Sequence, residues 1–367
     1  MVKAEALKLR IGKLQAKLRS SGLNGVIMAP GPNLRYYTGN WSQLFERPFL
    51  LFAPHEGRPH IVAPNFEAGP YRKSSIELEV IEWDDSTGPS RAFQKLERKM
   101  ELKGRWGCEG RAPFGYINRL LKRSSLKLVD GEGVLQSIRV VKSDQEIGYL
   151  KSAASILVKS FLNVIGGLRE GIREQELARK LVDEILANGA ERCDFCNVQS
   201  GARAADPHSE PSSRRLARGE GLVIDAGCTY AGYYADLTRT FVLGKNEEFE
   251  KVYNSVLEAQ GRGISAVKPG EKTGAVDAAA RQSLVRKGLG NYFTHRTGHG
   301  LGLDVHEAPF LVGGGTERLR KGMVVTIEPG VYLPKKLGVR IEDDAVVTAN
   351  GRDVISRKLP KEYGWWR

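Results

Sequence analysis

The sequence predicts an α+β protein made of two domains, and three observations point to this fold class. The chain has 367 residues, more than one ordinary hydrophobic core organises. Its composition, 41% hydrophobic and 27% charged, is typical of globular proteins. Helical patterns at 144–165, 173–188 and 246–267 alternate with segments that resemble antiparallel hairpins.

The first, smaller domain is predicted to span residues 1–139. Leu7, Ile11, Leu14 and Leu18 recur at helical spacing, and we expect this first helix to pack on its own domain. Buried strands are expected in "LNGVIMAP", "PFLLFAP" and "RPHIVAP", since each is a short apolar run bounded by turn residues.

The second domain is predicted to span residues 140–367. Ser143 followed by Glu146 fits a capping box that opens a helix, and the boundary is placed just before it. Strands are expected in "GLVIDAGCTYAGYYADLTRTFVL", "GMVVTIEPGVYL" and "VRIEDDAVVT".

No apolar run approaches the roughly 18–20 residues that a membrane helix needs. The N-terminus lacks both the continuous apolar stretch and the small-residue cleavage site of a signal peptide. A transit peptide or a membrane-surface helix stays open as an alternative for this basic amphipathic segment. We expect a cytoplasmic protein with no membrane partner.

The formal charge of +13 is spread along the chain rather than gathered beside aromatic residues. This pattern favours a solvated surface over a nucleic-acid interface, with weak polyanion binding as the alternative. No specific nucleic-acid partner is expected.

Four cysteines are too few for a disulfide scaffold of this size. Cys193 and Cys196 form a C-x-x-C that suits a redox pair or half of a zinc site. No second C-x-x-C or C-x-x-H accompanies them, so a structural role is favoured.

Two carboxylates interrupt strand-like apolar sequence, which buried strands avoid unless the charge has a partner. They are Asp225 in "LVIDAG" and Asp236 in "YYADLTRTFVL". A turn at Tyr230–Ala231, beside the permissive Gly232, would place the two directly opposite each other on one face. Carboxylates that close repel, share a proton or bind a cation.

The same feature recurs downstream with Glu328 in "VVTIEPG" and Glu342 in "GVRIEDD". Their connection contains Pro334 and Gly338, which predicts a second hairpin. Four acidic side chains and an imidazole would suffice for two divalent metal ions. Mixed oxygen and nitrogen ligands suit Mn, Co, Fe or Zn.

The segment "HRTGHGLGLDVHEAP" holds three of the six histidines, His295, His299 and His306. His295 and His299 have the i, i+4 spacing of a helical zinc site, but the glycines around them make a helix costly. The glutamate of an H-E-x-x-H motif is absent. A strand or loop is therefore predicted, with one of these histidines on metal.

These motifs resemble the pita-bread metallopeptidases, which include aminopeptidase P, prolidase and methionine aminopeptidase. "VIDAG" with "ADLTRT", then "TGHGLGLDVHE", "TIEPG" and "VRIED", follow the order and spacing of that family over roughly residues 140–350. "APGPNLRYYTG" resembles the creatinase/prolidase N-terminal domain. The resemblance implies a pita-bread catalytic domain at 140–367 and a smaller α/β creatinase-type domain at 1–139.

The resemblance also implies a ligand set for two divalent metal ions, with Mn, Co or Zn expected. Asp225 would hold one ion bidentately, and Asp236 and Glu342 would bridge both ions. His299 and Glu328 would complete the second ion.

Further roles are implied for residues around the metals. His208 and His295 match substrate-site histidines of the family, and His306 matches the histidine at the scissile group. Arg340 would orient a ligand carboxylate, and Glu328 would also carry a proton to the leaving nitrogen.

The activity implied is hydrolysis of the Xaa-Pro bond at the N-terminus of peptides by a hydroxide that bridges the two metals. Proline-containing peptides would be the substrates, and a homodimer is expected. Related prolidases place an arginine soon after the His306-like residue, where this chain has Phe310. That departure favours an aminopeptidase over a strict Xaa-Pro dipeptidase, which is the alternative. Less favoured are a non-catalytic peptide-binding module and a metal-free creatinase-like hydrolase.

Overall fold

A computed structural model describes residues 4–100, 102–121, 125–207 and 209–366. Contacts divide the chain into two units, Met1–Arg139 and Val140–Arg367. The mixture of helix and sheet confirms the predicted fold class. No helix in the described residues is both long and apolar enough to cross a membrane.

The first unit is built on a mixed sheet with strand order β4-β3-β2-β1-β5-β6. Its strands are β1 (Gly25–Met28), β2 (Leu50–Pro54), β3 (His60–Pro64), β4 (Glu79–Trp83), β5 (Lys103–Cys108) and β6 (Ser125–Asp130). Its helices are α1 (Ala4–Ser20), α2 (Pro32–Thr38), α3 (Gly69–Arg72), α4 (Ser90–Met100), α5 (Phe114–Leu120) and α6 (Glu132–Arg139). The three strands expected from apolar runs are thus confirmed as β1, β2 and β3.

Helix α1 buries one face against its own unit, as its spacing predicts. Leu7, Leu14 and Leu18 are buried, whereas Ile11 stays partly exposed. The apolar stripe is therefore narrower than the sequence pattern. Lys8, Lys13 and Lys17 are exposed, whereas Arg10 is buried and donates to the carbonyl of Tyr36 at 2.9 Å.

A buried carboxylate secures the turn between β1 and α2. Glu109 accepts hydrogen bonds from the amide of Ala29 at 2.9 Å and from Nδ2 of Asn33 at 2.8 Å. The side-chain oxygen of Asn33 in turn accepts from Nη1 of Arg139 at 2.7 Å. These bonds satisfy polar groups that would be costly to bury alone.

The second unit carries the long helices and the remaining strands. The helices are α7 (Asp144–Ile165), α8 (Glu174–Ala187), α9 (Glu247–Ala266) and α10 (Thr273–Arg286). The strands are β7 (Arg192–Ser200), β8 (Gly221–Tyr230), β9 (Tyr233–Val242), β10 (Gly298–Gly300), β11 (Glu307–Leu311), β12 (Val324–Ile327), β13 (Gly330–Leu333), β14 (Leu337–Arg340), β15 (Asp343–Val347) and β16 (Arg352–Val354). They form sheets of order β7-β8-β9, β11-β10-β12-β15-β16 and β13-β14.

Helix α7 begins with the predicted capping box. The side chain of Ser143 accepts from the amide of Glu146, whose carboxylate accepts from the amide of Ser143 at 2.9 Å. Helices α7 and α8 pack on one face of the β7-β8-β9 sheet, which leaves its other face to the carboxylates.

The turn between β8 and β9 differs from the prediction by one position. Ala231 and Gly232, with φ of 50° and 81°, form the two-residue turn, and Tyr230 pairs with Tyr233. Positive φ at both central positions is the geometry of a type I′ turn, whose twist matches that of the strands. Asp225 therefore pairs with Thr238 and not with Asp236.

The predicted second hairpin is present, with one correction. Strands β13 and β14 pair with Gly330 opposite Arg340, which sets Glu328 and Glu342 at matching positions just beyond the paired residues. Gly338 lies in β14 and not in the loop. A Cβ at this position would sit 1.6 Å from the carbonyl oxygen of Ala204, so the strand needs glycine to approach that segment.

A buried ionic network ties β9 to the segment that follows β16. Arg239, fully buried, donates to Asp343 at 2.8 Å and to the carbonyls of Leu359 and Pro360 at 2.8 and 2.9 Å. Asp343 also accepts from Nζ of Lys361 at 2.6 Å. The network thus anchors β9, the strand that carries Asp236, to the segment after β16.

Candidate functional site

A cavity of about 780 Å³ in the second unit gathers the acidic residues that the sequence singled out. Asp225 lies on β8 and Asp236 on β9, two residues apart across the sheet register and on the same face. Glu328 follows β12 and Glu342 lies between β14 and β15. The two hairpins thus bring all four carboxylates to one place, although they are far apart in sequence.

The ligand atoms fall into three overlapping groups whose members lie within 4.8 Å of one another. The groups are Asp225, Asp236 and Glu342; His299, Glu328 and Glu342; and Asp236, His299 and His306. All five residues predicted as metal ligands belong to these groups. His306, predicted only as a substrate contact, also falls within one of them.

His299 on β10 presents one ring nitrogen to the carboxylates. Its Nδ1 lies 3.0 Å from the carbonyl of Gly300, which can only accept, so Nδ1 carries the proton. Its Nε2 faces Glu328 at 3.2 Å and Asp236 at 3.9 Å. This tautomer leaves Nε2 with the lone pair that a metal requires.

The glycines on either side of His299 let neighbouring backbone segments approach it closely. A Cβ at Gly298 would lie 1.9 Å from the carbonyl oxygen of Thr326, and one at Gly300 would lie 2.1 Å from that of Ala308. His295 and His299 therefore lie in a loop and a short strand, as predicted. Only His299 of these two is within a ligand group.

Burial and mutual repulsion act on the pKa values of the carboxylates. Burial, and then the charge of neighbouring carboxylates, raises the pKa of Asp236 and of Glu342 well above the usual range. Burial also favours neutral Glu328, but the His299 ring, when it is protonated on both nitrogens, outweighs this by donating to the carboxylate and lowers the pKa of Glu328 to about 2. Such a cluster is stabilised by anything that supplies positive charge.

Thr238 and Arg340 hold the carboxylates in place. The hydroxyl of Thr238 lies 3.0 Å from Oδ1 of Asp225 and 2.7 Å from Oε2 of Glu342. Nη2 of Arg340 forms an ion pair with Oδ2 of Asp225 at 2.7 Å, and its Nε donates to Thr238 at 3.0 Å. Arg340 thus contacts the carboxylate of Asp225, one of the predicted ligands.

His295 joins the same network through Tyr332. Nη1 of Arg340 donates to the Tyr332 hydroxyl at 3.0 Å, and that hydroxyl lies 2.8 Å from Nε2 of His295. The other ring nitrogen of His295 donates to the carbonyl of Arg296 at 2.8 Å. Both nitrogens are occupied, so His295 orients its neighbours and does not serve as a ligand.

His306 lies at the cavity beside His299, with ring centroids 4.2 Å apart and an interplanar angle of 89°. Burial, together with His299 and Arg296, lowers the pKa of His306 to about 4. The remaining predicted site residue, His208, lies outside the described residues.

The cysteines of the C-x-x-C motif face away from the cavity. Alternate residues of the same segment, Phe195 and Asn197, line the cavity instead. Cys193 and Cys196 pack with the helices on the opposite face of β7. The four cysteines are free thiols.

The sequence did not single out two residues that line the cavity, Asn197 and Arg296. Nor did it single out Thr238 and Tyr332, which contact the lining residues Asp225 and Arg340. Asn197 donates to Asp225 at 3.5 Å, and it pairs with Asp225 across β7 and β8. The position of Thr238 could have been predicted from the sequence, because it lies two residues after Asp236 and so shares its strand face. No sequence pattern distinguishes Tyr332 or Arg296 from ordinary core or surface residues.

The residues present fit a divalent cation. Among the described residues, Oδ1 of Asp236 and Oε1 of Glu342 are buried without any hydrogen-bond partner. Buried polar atoms are rarely left in that state, and hard oxygen donors aimed into one cavity suit a divalent ion. Carboxylates and an imidazole that converge in one cavity point to a metal-dependent enzyme.

Comparisons with known proteins agree with this class. The sequence matches metallopeptidase family M24 over residues 148–349 and the Creatinase/Prolidase N-terminal domain over residues 10–141. It is 34% identical over 358 residues to the Xaa-Pro dipeptidase of Pyrococcus horikoshii, which covers 96% of this chain and 97% of the relative. The chain therefore belongs to metallopeptidase family M24 and is a hydrolase.

Solved structures show the same relationship. The crystal structure of dipeptidase PepE from Mycobacterium ulcerans matches with a TM-score of 0.92 and 34% identity, over 99% of this chain and 98% of that one. The prolidase from Thermococcus sibiricus matches with a TM-score of 0.91 and 36% identity, over 97% and 98%. The family and fold implied by the sequence motifs are thus confirmed. These relatives support the dipeptidase alternative better than the aminopeptidase favoured from Phe310.

Proposed function

We propose that this protein is an Xaa-Pro dipeptidase that releases proline from dipeptides. The observation that carries the proposal is the convergence of four carboxylates and His299 on one cavity. The names of the full-length relatives support the dipeptide preference. Residues 140–367 would form the catalytic domain and residues 1–139 the N-terminal domain of a cytoplasmic homodimer.

The proposed metal ligands are those that the sequence singled out. Together these residues, Asp225, Asp236, His299, Glu328 and Glu342, would hold the divalent ions. Mn, Co or Zn would suit this mixed oxygen and nitrogen set. When bound, such ions polarise the scissile carbonyl and lower the pKa of an attacking water.

The protein side chains would position the substrate and move the proton. Glu328, beside His299 in the cavity, would take a proton from the attacking water and deliver it to the proline nitrogen as the C–N bond breaks. His306 would donate a hydrogen bond to the carbonyl oxygen as negative charge develops on it. Arg340 and Thr238 would keep the carboxylates of Asp225 and Glu342 fixed during this step.

Hydrolysis of Ala-Pro and of Ala-Pro-Ala by metal-stripped protein, with Mn, Co or Zn added singly, tests the proposal. We expect cleavage of Ala-Pro to exceed that of Ala-Pro-Ala and to depend on the added metal. Preferential cleavage of Ala-Pro-Ala would instead identify an aminopeptidase. Absence of hydrolysis with every metal would favour a non-catalytic peptide-binding protein.

A further inference from the structure

We infer that Arg296 binds the terminal carboxylate of the dipeptide and thereby selects dipeptides over longer peptides. The inference rests on the proposed function and names the residue that sets its specificity. It follows from the charges that line the cavity, from the surroundings of Arg296, and from the position of the carboxylate in the substrate.

The cavity has an excess of negative charge. Four carboxylates line it, and the cationic side chains among its described lining residues are Arg296 and Arg340. Arg340 is already committed, since it is buried and bonds to Asp225, Thr238 and Tyr332. Arg296 is therefore the lining guanidinium that remains for a substrate.

The surroundings of Arg296 leave its donors free. Its guanidinium carbon stacks over the ring of Phe310, 4.5 Å from the ring centroid. No hydrogen bond or ion pair joins that guanidinium to another residue within 4–100, 102–121, 125–207 or 209–366. Stacking on one face of the planar group leaves its N–H edge able to make two parallel bonds to a carboxylate.

The backbone on either side of Arg296 is held firmly. Nη2 of Arg281 donates to the carbonyl of His295 at 2.8 Å, and the amide of Thr297 donates to the carbonyl of Leu311 at 3.0 Å. Arg296 itself is half-buried. A residue fixed in this way between two anchored neighbours presents its side chain to the cavity at low cost in conformational entropy.

The chemistry of the substrate supplies the need for this charge. In an Xaa-Pro dipeptide, the terminal carboxylate lies only three bonds beyond the scissile carbonyl carbon, so it must enter the same acidic cavity. Without a cation it would be repelled by the protein carboxylates. A longer peptide has a neutral amide at this point and gains nothing from an arginine there. Arg296 thus favours the dipeptide selectively.

The test compares Ala-Pro with Ala-Pro-amide, which differs only by loss of the terminal charge. The wild-type protein should prefer Ala-Pro, and Arg296→Gln should lower kcat/KM for Ala-Pro by about 10- to 100-fold, the range expected for a charged hydrogen bond. Its kcat/KM for Ala-Pro-amide should change little. Arg296→Lys, which keeps the charge, should retain part of the preference. Arg286→Gln, at the exposed end of α10, is the matched control.

Metal content is measured in every variant, so that a loss of metal is not mistaken for a loss of specificity. If Arg296→Gln keeps the wild-type preference for Ala-Pro over the amide, the inference is wrong while the dipeptidase assignment stands. If the wild-type protein does not hydrolyse Ala-Pro with any metal, the proposed function itself fails. Equal losses on both substrates would also overturn the role in carboxylate binding.

Discussion

The hydroxyl of Thr238 lies 2.7 Å from a carboxylate oxygen of Glu342, and 104 positions separate the two residues in the chain. The same hydroxyl lies 3.0 Å from Asp225, so one small side chain contacts carboxylates from both hairpins. Because a hydroxyl has a single proton, it donates to one carboxylate at a time while accepting from Arg340. This arrangement makes Thr238 a determinant of ligand geometry.

Thr238→Val should weaken metal binding by about 10- to 100-fold, the range found when partners of metal ligands are removed. Valine keeps the shape of the buried side chain but leaves the carboxylates unanchored. Metal titration of the stripped protein measures the effect. Thr229→Val is the matched control, because the buried hydroxyl of Thr229 has no hydrogen-bond partner among the described residues. Equal metal affinity in the two variants would contradict the role of Thr238.

Asp236→Ala or Glu342→Ala should abolish both metal retention and turnover, since each removes a carboxylate shared between ligand groups. The wild-type protein should gain about 2.7 kcal/mol in free energy of unfolding at a metal concentration 100 times the Kd. The variants should gain none of this. Thermal unfolding with and without Mn provides the comparison, with the exposed Glu317→Ala as control. Near-normal hydrolysis by either variant would refute the assignment.

Arg239→Met should lower the free energy of unfolding by about 3–5 kcal/mol, the cost of breaking a buried ion pair by removing one partner. The substitution removes the guanidinium that pairs with Asp343. It also leaves the carbonyls of Leu359 and Pro360 without the donor they have in the wild-type protein. Urea unfolding of the metal-free protein measures it. Arg286→Met, on the surface, should stay within about 0.5 kcal/mol of wild type. A similarly small change for Arg239→Met would show that the network contributes little.

Glu109 should make the first unit less stable as the pH rises towards neutrality. Burial raises the pKa of Glu109 from 4.5 to about 7. Between these values the unfolded chain has lost the proton that the folded chain still binds, so stability falls with rising pH by up to about 3 kcal/mol. Glu109→Gln removes this titration. Unfolding curves recorded from pH 4.5 to 7.5 should show a flatter pH dependence for the variant, and parallel slopes would contradict the prediction.

Local signals predicted much of the fold. The capping box at Ser143 and Glu146 marked the start of α7, because it depends only on residues three apart. Carboxylates inside apolar strands marked the cavity, because buried charge needs compensation wherever it occurs. Those signals required no knowledge of long-range packing.

The remaining details depend on long-range pairing. A glycine-flanked turn favoured Tyr230–Ala231, but the chain accepts a positive φ at Ala231 to obtain a turn that matches the strand twist. The β-bulge between Cys193 and Phe195 determines which side chains of β7 face the cavity, and no local sequence pattern predicts it. Tyr332 could not be assigned to the site, since its partners His295 and Arg340 approach only in the folded chain.

Ala231 is also a position at which a substitution could increase the stability of the protein. An alanine held in the left-handed region carries about 1–2 kcal/mol of steric cost that glycine or asparagine would relieve in full or in part. Its side chain is remote from the cavity lining, at the far tip of the ribbon that bears two of the acidic groups. Protein engineers could therefore raise heat resistance at this position while leaving the chemistry of the enzyme untouched.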